Sequence, residues 1–309
     1  MPQPSFRRLG KIAILPLMDR ASPAIRDLAA GNRSVPPAAR AIAGGLEWSV
    51  CEYTCHAGPD DRPFEEQHDR VTIAAVVEGS FTYRTDSGRA LLHPGALLFG
   101  NHGKCFECGH EHSRGDRCIA FHFSPGLFAE ISASAAGTSR YEFPAAALPV
   151  ARQLTPIVAG VETLAHGALL LGVEEAVSRI GKTVVATLSG YAPSPIRISG
   201  REERRIVDVV HFIEDHAAEP LDLGTLAGIA GSSKYHFLRS FRRTVGMTPY
   251  QFLLTIRIRR AALRLVRTSE TVASIAFEAG FGDLSTFNKR FRDLFGVSPS
   301  AYRRRGRIA

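Results

Sequence analysis

No segment of this 309-residue chain approaches the eighteen or so consecutive apolar residues that a membrane-spanning helix needs. The short apolar run Ile12-Ala13-Ile14-Leu15-Pro16, behind Arg7, Arg8 and Lys11, is too short for a signal-peptide core, and no small-residue cleavage site follows it. A cytoplasmic protein without membrane attachment is therefore expected. Catalytic fingerprints are equally scarce, and an enzyme is not expected. No serine elbow or dinucleotide-binding glycine pattern occurs. Gly181-Lys182-Thr183 is not a phosphate loop, because Ala176 stands where the first glycine is required and the run lies in a helical pattern. Cysteine is missing outside residues 51–118. Five cysteines confined to one stretch of a cytosolic chain point to metal or thiol chemistry rather than a disulfide framework. Net charge is absent from residues 1–200, which hold 19 Lys+Arg and 19 Asp+Glu.

What is present is concentrated at the other end. Residues 201–309 hold 19 Lys+Arg against 11 Asp+Glu, so the whole net charge of +8 lies there. One-sided basic charge suits a polyanion. The same stretch contains an internal repeat. Leu226-Ala227 and Gly231 match Ile275-Ala276 and Gly280 at an offset of 49, whereas Phe237, Phe241-Arg242, Gly246 and Pro249 match Phe287, Phe291-Arg292, Gly296 and Pro299 at an offset of 50. The second turn is thus one residue longer, and one supersecondary unit is used twice.

Each copy reads as helix, tight turn, helix. Ile206, Val209, Val210 and Ile213 keep the spacing of an amphipathic scaffold helix closed by Pro220. Asp222 is the expected N-cap of a short helix through Ile229, Gly231 the turn, and Ser232 the cap of a longer helix to about Val245. Phe237, Phe241 and Val245 form its inward stripe. Ser233, Lys234, Tyr235, Leu238, Arg239 and Arg242 fall on the other face or its edges, where the start of a recognition helix meets base edges and phosphates. In the second copy Asp283 is the expected N-cap, Phe287 and Phe291 point inward, and Leu284, Ser285, Asn288 and Lys289 occupy the corresponding outward face. Between the copies, Tyr250, Leu253, Leu254, Ile258, Ala261, Ala262 and Leu265 predict one continuous helix from about Pro249 to Arg267, interspersed with Arg257, Arg259, Arg260, Arg264 and Arg267.

The run I-A-F-E-A-G-F-G-D-L-S-T-F-N-K-R-F-R-D-L-F-G-V-S-P-S-A-Y-R from Ile275 to Arg303 closely resembles the DNA-binding domain of the AraC/XylS transcriptional regulators, and the resemblance extends over residues 204–305. Thr286 stands where that family usually has Tyr, and Lys289 where it usually has Arg, which keeps the charge but loses the bidentate geometry. The resemblance implies a sequence-specific DNA-binding transcription factor of α+β class. Its parts would be an N-terminal cupin-like β-barrel with a helical hairpin and a C-terminal all-α domain with two helix-turn-helix units. It implies double-stranded DNA as partner, a homodimer, an activator's contact with RNA polymerase, and a small-molecule or redox effector of unknown identity. Base-reading positions carried over by the motif are Tyr235, Leu238 and Arg239 in the first unit and Leu284, Ser285, Asn288 and Lys289 in the second.

The N-terminal part reads as short strands punctuated by turns. Val71–Val77 is apolar, Gly79 turns, Phe81–Arg84 alternates, Asp86-Ser87-Gly88 is a hairpin turn, and Pro94-Gly95 precedes Ala96–Phe99. Helical spacing returns in Val161, Leu164, Ala165 and Ala168, then in Val173, Val177, Ile180 and Val184, compatible with a dimer contact or an internal hairpin, and Pro193-Ser194-Pro195 reads as a linker. The expected domains are a sensor at 1–148, a helical dimerisation and linker segment at 149–196, and the DNA-binding domain at 204–305. Cys105, Cys108, His110, His112 and Cys118 are the candidate metal or redox residues. On a strand, Cys108, His110 and His112 would share one face, but a hairpin loop at 113–116 would set Cys118 opposite Glu111. Three readings stay open: core cysteines with histidines rimming a pocket for an organic ligand, metal binding, and thiol redox sensing. The rival for the whole chain is a cupin-type metal-binding sensor or metalloenzyme with a DNA-binding tail.

Overall fold

The strands are all gathered before residue 149, and the C-terminal third is wholly helical among the described residues. The computed structural model describes residues 36–112, 115–149, 155–165, 172–190 and 199–306. Arg7–Pro16, Ala168 and Pro193-Ser194-Pro195 lie outside them. Ten strands are described: β1 (Ala38–Gly44), β2 (Trp48–Cys55), β3 (Phe64–Gln67), β4 (Val71–Gly79), β5 (Phe81–Thr85), β6 (Gly88–Leu92), β7 (Leu97–Gly100), β8 (Cys105–Gly109), β9 (Asp116–Phe123) and β10 (Ala147–Leu148). They form a six-stranded sheet, β1-β2-β9-β4-β7-β10, and a four-stranded sheet, β3-β8-β5-β6, with antiparallel pairing.

The apolar run of β4 is uninterrupted because both of its faces are covered. Val71, Ile73, Ala75 and Val77 face a core shared with helices, while Ala74 and Val76 face Phe81, Tyr83 and Leu92 of the four-stranded sheet. The helical layer is α1 (Pro125–Ala136), α2 (Thr155–Ala165) and α3 (Val173–Leu188). Val177, Ile180 and Val184 of α3 are buried in the core that also holds Phe121, Phe123 and Phe128, so this apolar stripe is consumed within the chain. Gly181 lies where α3 crosses α1: a Cβ there would come 3.1 Å from Ile131. Close packing accounts for that glycine without any phosphate.

The C-terminal helices are α4 (Gly200–Asp215), α5 (Leu223–Ile229), α6 (Lys234–Val245), α7 (Pro249–Arg267), α8 (Val272–Glu278), α9 (Leu284–Phe295) and α10 (Pro299–Gly306). The first ends at Asp215, short of Pro220. They enclose two separate cores. Phe237, Phe241 and Val245 pack with Ile206, Val210 and the first half of α7, through Phe252, Leu253 and Ile256. Phe287 and Phe291 pack with Ile275, Tyr302 and the second half of α7, through Ile258, Ala262 and Leu265. The repeat is therefore real in three dimensions: α5 and α8 are seven residues each, and α6 and α9 twelve each. The extra residue falls in the turn between α8 and α9.

Candidate nucleic-acid interface

Capping fixes where each long helix begins. Asp222 accepts from the Gly224 and Thr225 amides and starts α5. The cap of α6 is Ser233, not Ser232, and its hydroxyl accepts from the His236 amide. Ser233 thus spends its side chain on the helix end. Asp283 caps α9 as expected, accepting from the Thr286 amide at 2.7 Å. That bond and the Thr286 hydroxyl hold its carboxyl below the usual range. Asp222 is held down likewise, first by the Thr225 hydroxyl and then by the amides. Anionic caps at these positions complement the positive helix ends.

Downstream of the caps the outward faces are solvent-exposed. Tyr235 is 78% exposed and Leu284 37%, large apolar surfaces to leave in water. Lys234, Arg239, Arg242, Ser285 and Lys289 are exposed, and Leu238 and Asn288 half-buried at matched positions. Phe237, Phe241, Phe287 and Phe291 are fully buried on the opposite sides. Among the described residues Arg239, Arg242 and Lys289 form no ion pair, whereas Arg243 is held by Glu202 at 3.1 Å. Lys234 lies beside the Asp222 carboxylate.

Not every arginine of α7 belongs to this surface. Arg257 is buried and donates to the Ala217, Gly280 and Glu219 carbonyls at 2.6, 2.6 and 2.7 Å. Gly280 (φ 90°) is a necessary glycine, since a Cβ would meet the Ala218 carbonyl at 2.7 Å and the Arg257 guanidinium at 2.8 Å. Arg259 turns to the sheets, donating to the Val77 carbonyl and lying 3.5 Å from Glu162. Both arginines organise structure.

Residues 226–305 match the family model described as a helix-turn-helix domain. The chain is 35% identical over 99 residues to the transposon Tn10 TetD protein of Escherichia coli, covering 32% of this chain and 72% of that protein. It is 36% identical over 98 residues to the HTH-type transcriptional activator AarP of Providencia stuartii, covering 32% and 73%. The chain belongs to the AraC/XylS family of transcriptional regulators. It is an AraC-type DNA-binding regulator. Longer relatives are matched over about a third of their length. Among solved structures it is similar to a probable AraC family transcriptional regulator from Rhodopseudomonas palustris, at 30% identity and a TM-score of 0.32, over 33% of this chain and 97% of that one.

In this AraC/XylS regulator the cysteine and histidine cluster is arranged differently from the sequence expectation. Strand β8 ends at Gly109, so the alternation of Cys108, His110 and His112 does not continue on a strand, and His112 lies in a turn. Its Nδ1 is buried with no hydrogen bond among the described residues. Strands β8 and β9 belong to different sheets, which removes the hairpin register that set Cys118 opposite Glu111. Cys105 is exposed. The structure instead gathers His110 and Cys118 around Asp116: His110 Nε2 lies 2.7 Å from one carboxylate oxygen, and the Cys118 thiol donates to the other at 3.2 Å. Cys55, absent from the sequence-based set, completes a group with His110 and Asp116. Burial, reinforced by Asp116, pushes the Cys108 and Cys118 thiols well up, which disfavours them as reactive thiolates. Burial alone would lower His110, but its bonds to Asp116 and Cys55 raise it to about 9.

Polar contacts tie the strands to the helices of the basic third. Arg89 grips Glu203 of α4 with two bonds of 2.8 Å. The Gly79 amide donates to Glu214 at 3.3 Å, and Ser80 lies 2.9 Å from His211. Burial pushes the Glu214 carboxyl up to about 7 despite that amide and Arg259. Arg117 bridges Glu52, Glu78 and Glu162 at 2.8, 2.9 and 2.6 Å, and Glu162 leads on to Arg259. His93 meets Phe252 of α7 edge-on, with ring centroids 5.7 Å apart.

Proposed function

We propose that the chain is a sequence-specific transcription factor whose helix pairs α5–α6 and α8–α9 are two helix-turn-helix units laid into successive major grooves of double-stranded DNA. The observation that carries this reading is the pair of exposed helix starts joined by one long helix. Nineteen residues of α7 span about 28 Å, close to the roughly 34 Å between successive major-groove faces on one side of the duplex. Tyr235, Leu238 and Arg239 read bases in the first unit. Leu284, Ser285, Asn288 and Lys289 do so in the second, with Lys234 and Arg242 on phosphates and Ser233 as helix cap. Because the facing residues differ, the two half-sites differ in sequence.

In this reading residues 1–148 are a cupin-like barrel that senses an effector, 149–196 a linking and dimer-forming segment, and 204–305 the DNA-binding domain. The protein works in the cytoplasm as a homodimer, contacts RNA polymerase and carries out no catalysis. Effector binding shifts the population between docked and released arrangements of the helices, through Arg89–Glu203, Gly79–Glu214 and the Arg117–Glu162–Arg259 chain. Selection of bound duplexes from a random-sequence pool by the full-length protein tests it. A two-part site with unlike elements about one helical turn apart is expected; a single short element would exclude simultaneous reading by both helices.

A further inference from the structure

We propose that Cys55, His110 and Asp116 form a site for a thiophilic divalent cation of the zinc class. One ligand atom from each, a thiol sulfur, an imidazole nitrogen and a carboxylate oxygen, lie within 4.8 Å of one another. His110 and Asp116 lie six residues apart, and strand pairing brings Cys55, from far earlier in the chain, to Asp116. Asp116 opens β9 and stands directly across from Cys55 on one side and Gly79 on the other. The approach is tight: a Cβ at Gly79 would come 2.3 Å from the Gly115 carbonyl, and one at Gly115 would come 2.3 Å from the Cys55 carbonyl. Two glycines therefore let three strand ends close upon one point.

The chemistry of the group fits such an ion. The His110 and Asp116 side chains are only 5% and 7% exposed, and buried ionisable groups are normally paired or metal-bound. Sulfur with imidazole and carboxylate is a mixed donor set suited to zinc or cobalt. The surrounding groups orient the ligands: the Cys118 thiol holds the second oxygen of Asp116, and the His110 ring stacks on Phe81 with centroids 5.8 Å apart. An ion inserted between His110 Nε2 and the Asp116 oxygen replaces their 2.7 Å hydrogen bond and spreads them to roughly 3.3 Å, set by metal–ligand distances near 2.0–2.1 Å. Three protein ligands leave a tetrahedral ion one position for water or a small anion.

The location gives the ion a consequence. The Gly79 amide, across from Asp116, donates to Glu214 of α4, and Arg117, next to Asp116, joins the carboxylates that lead to Arg259 of α7. Spreading the strand ends would reach both helices. The inference deepens the sensing role proposed above and rests on it only for this effect on DNA binding.

Titration of the chelator-treated full-length protein with Co²⁺, followed by its thiolate charge-transfer absorption and by competition with Zn²⁺, tests the site. Saturation at one equivalent is expected, with the sulfur band lost in Cys55→Ser, retained in Cys105→Ser, and affinity weakened about tenfold or more in Asp116→Asn. Zn²⁺ should also raise the unfolding temperature of the wild type and not of Asp116→Asn, a near-isosteric change that spares the fold. Lack of saturable binding, or a sulfur band that survives Cys55→Ser, overturns the site. Binding of a selected duplex with and without one equivalent of Zn²⁺ then tests the sensing role alone: unchanged affinity refutes metal sensing and leaves the metal site standing.

Discussion

The helix pairs α5–α6 and α8–α9 share a frame but are anchored differently. Each has an acidic residue at the start of one of its helices, a pair of buried phenylalanines and its own core around half of α7. The core of the first pair is bolted to the strands through its neighbours: α4 is gripped by Arg89, Gly79 and Ser80, and Phe252 of α7 packs on buried His93. Among the described residues neither α5–α6 nor α8–α9 makes an ion pair with the strands, and the second core is tied to them through Arg259 of α7 on the Val77 carbonyl. Duplication therefore supplies two cores that can be displaced separately, and the polar docking falls mainly on the first. A regulatory signal from the strands would act there before it acts on α9.

Removing one core should break the comparison most strongly. Phe241→Ala and Phe291→Ala should each cost about 3–5 kcal/mol, as for a buried aromatic cut to alanine. Hydrogen exchange should rise in α4–α6 for the first and in α8–α10 for the second; a rise across both pairs in either variant would show a single shared core.

Acid should loosen the first pair before the second. Burial holds His93 down to about 4, against 6.5 when free, so its docked form is neutral. Its contribution is complete above pH 6.5 and drains away as pH falls toward about 4, by roughly 1.4 kcal/mol for each step of one in pH between those values. His68 and His122 are lowered in the same way, both to about 4. Glu214 has the opposite sign: raised to about 7, it favours the docked state below pH 4.5 and loses that contribution as pH rises through 7. His68 and His122 lie among the strands, but His211 of α4, beside Ser80, is also lowered by burial and joins His93 at the docked helices, so the net effect there is acid lability. Protection of α4–α6 measured between pH 7 and 5 should fall first; equal loss in α8–α9 would contradict the difference in anchoring.

Base reading comes next in size. Arg239→Ala should weaken binding to a selected duplex by roughly 1–3 kcal/mol and relax one base position, as when a bidentate guanine contact is lost. Lys289→Ala, without the bidentate geometry of arginine, should cost less, discriminate less between sequences and lower the salt slope by about one. A loss confined to a single base position in Lys289→Ala would reverse the assignment of the two helices. Smallest is Arg89→Ala, which strands the buried Glu203; with Arg89 39% exposed, about 1 kcal/mol is expected in urea unfolding.

What the sequence discloses is what depends on neighbours along the chain. Phe237 and Phe241, four residues apart beneath a capping side chain, specify α6, and the apolar spacing from Leu253 to Leu265 specifies α7. The turn at Asp86-Ser87-Gly88 is local too, and β5 and β6 pair across it. The remainder depends on long-range pairing. That β8 and β9 join different sheets, that Asp116 meets Cys55, and that Arg259 turns from solvent to Glu162 leave no periodic trace, since strand partners and buried ion pairs are chosen by the assembled core. Cys55 escapes on the same ground: His56 adjoins it, but what places it at the site is its strand register opposite Asp116, which spacing along the chain does not show.

The most direct measurement is a hydroxyl-radical footprint of the full-length protein on a duplex that it selects. Two protected patches on one face, about a helical turn apart, are expected, with Arg239→Ala opening one and leaving the other. A single patch, or two patches lost together in that variant, would contradict two helices reading separately from one scaffold.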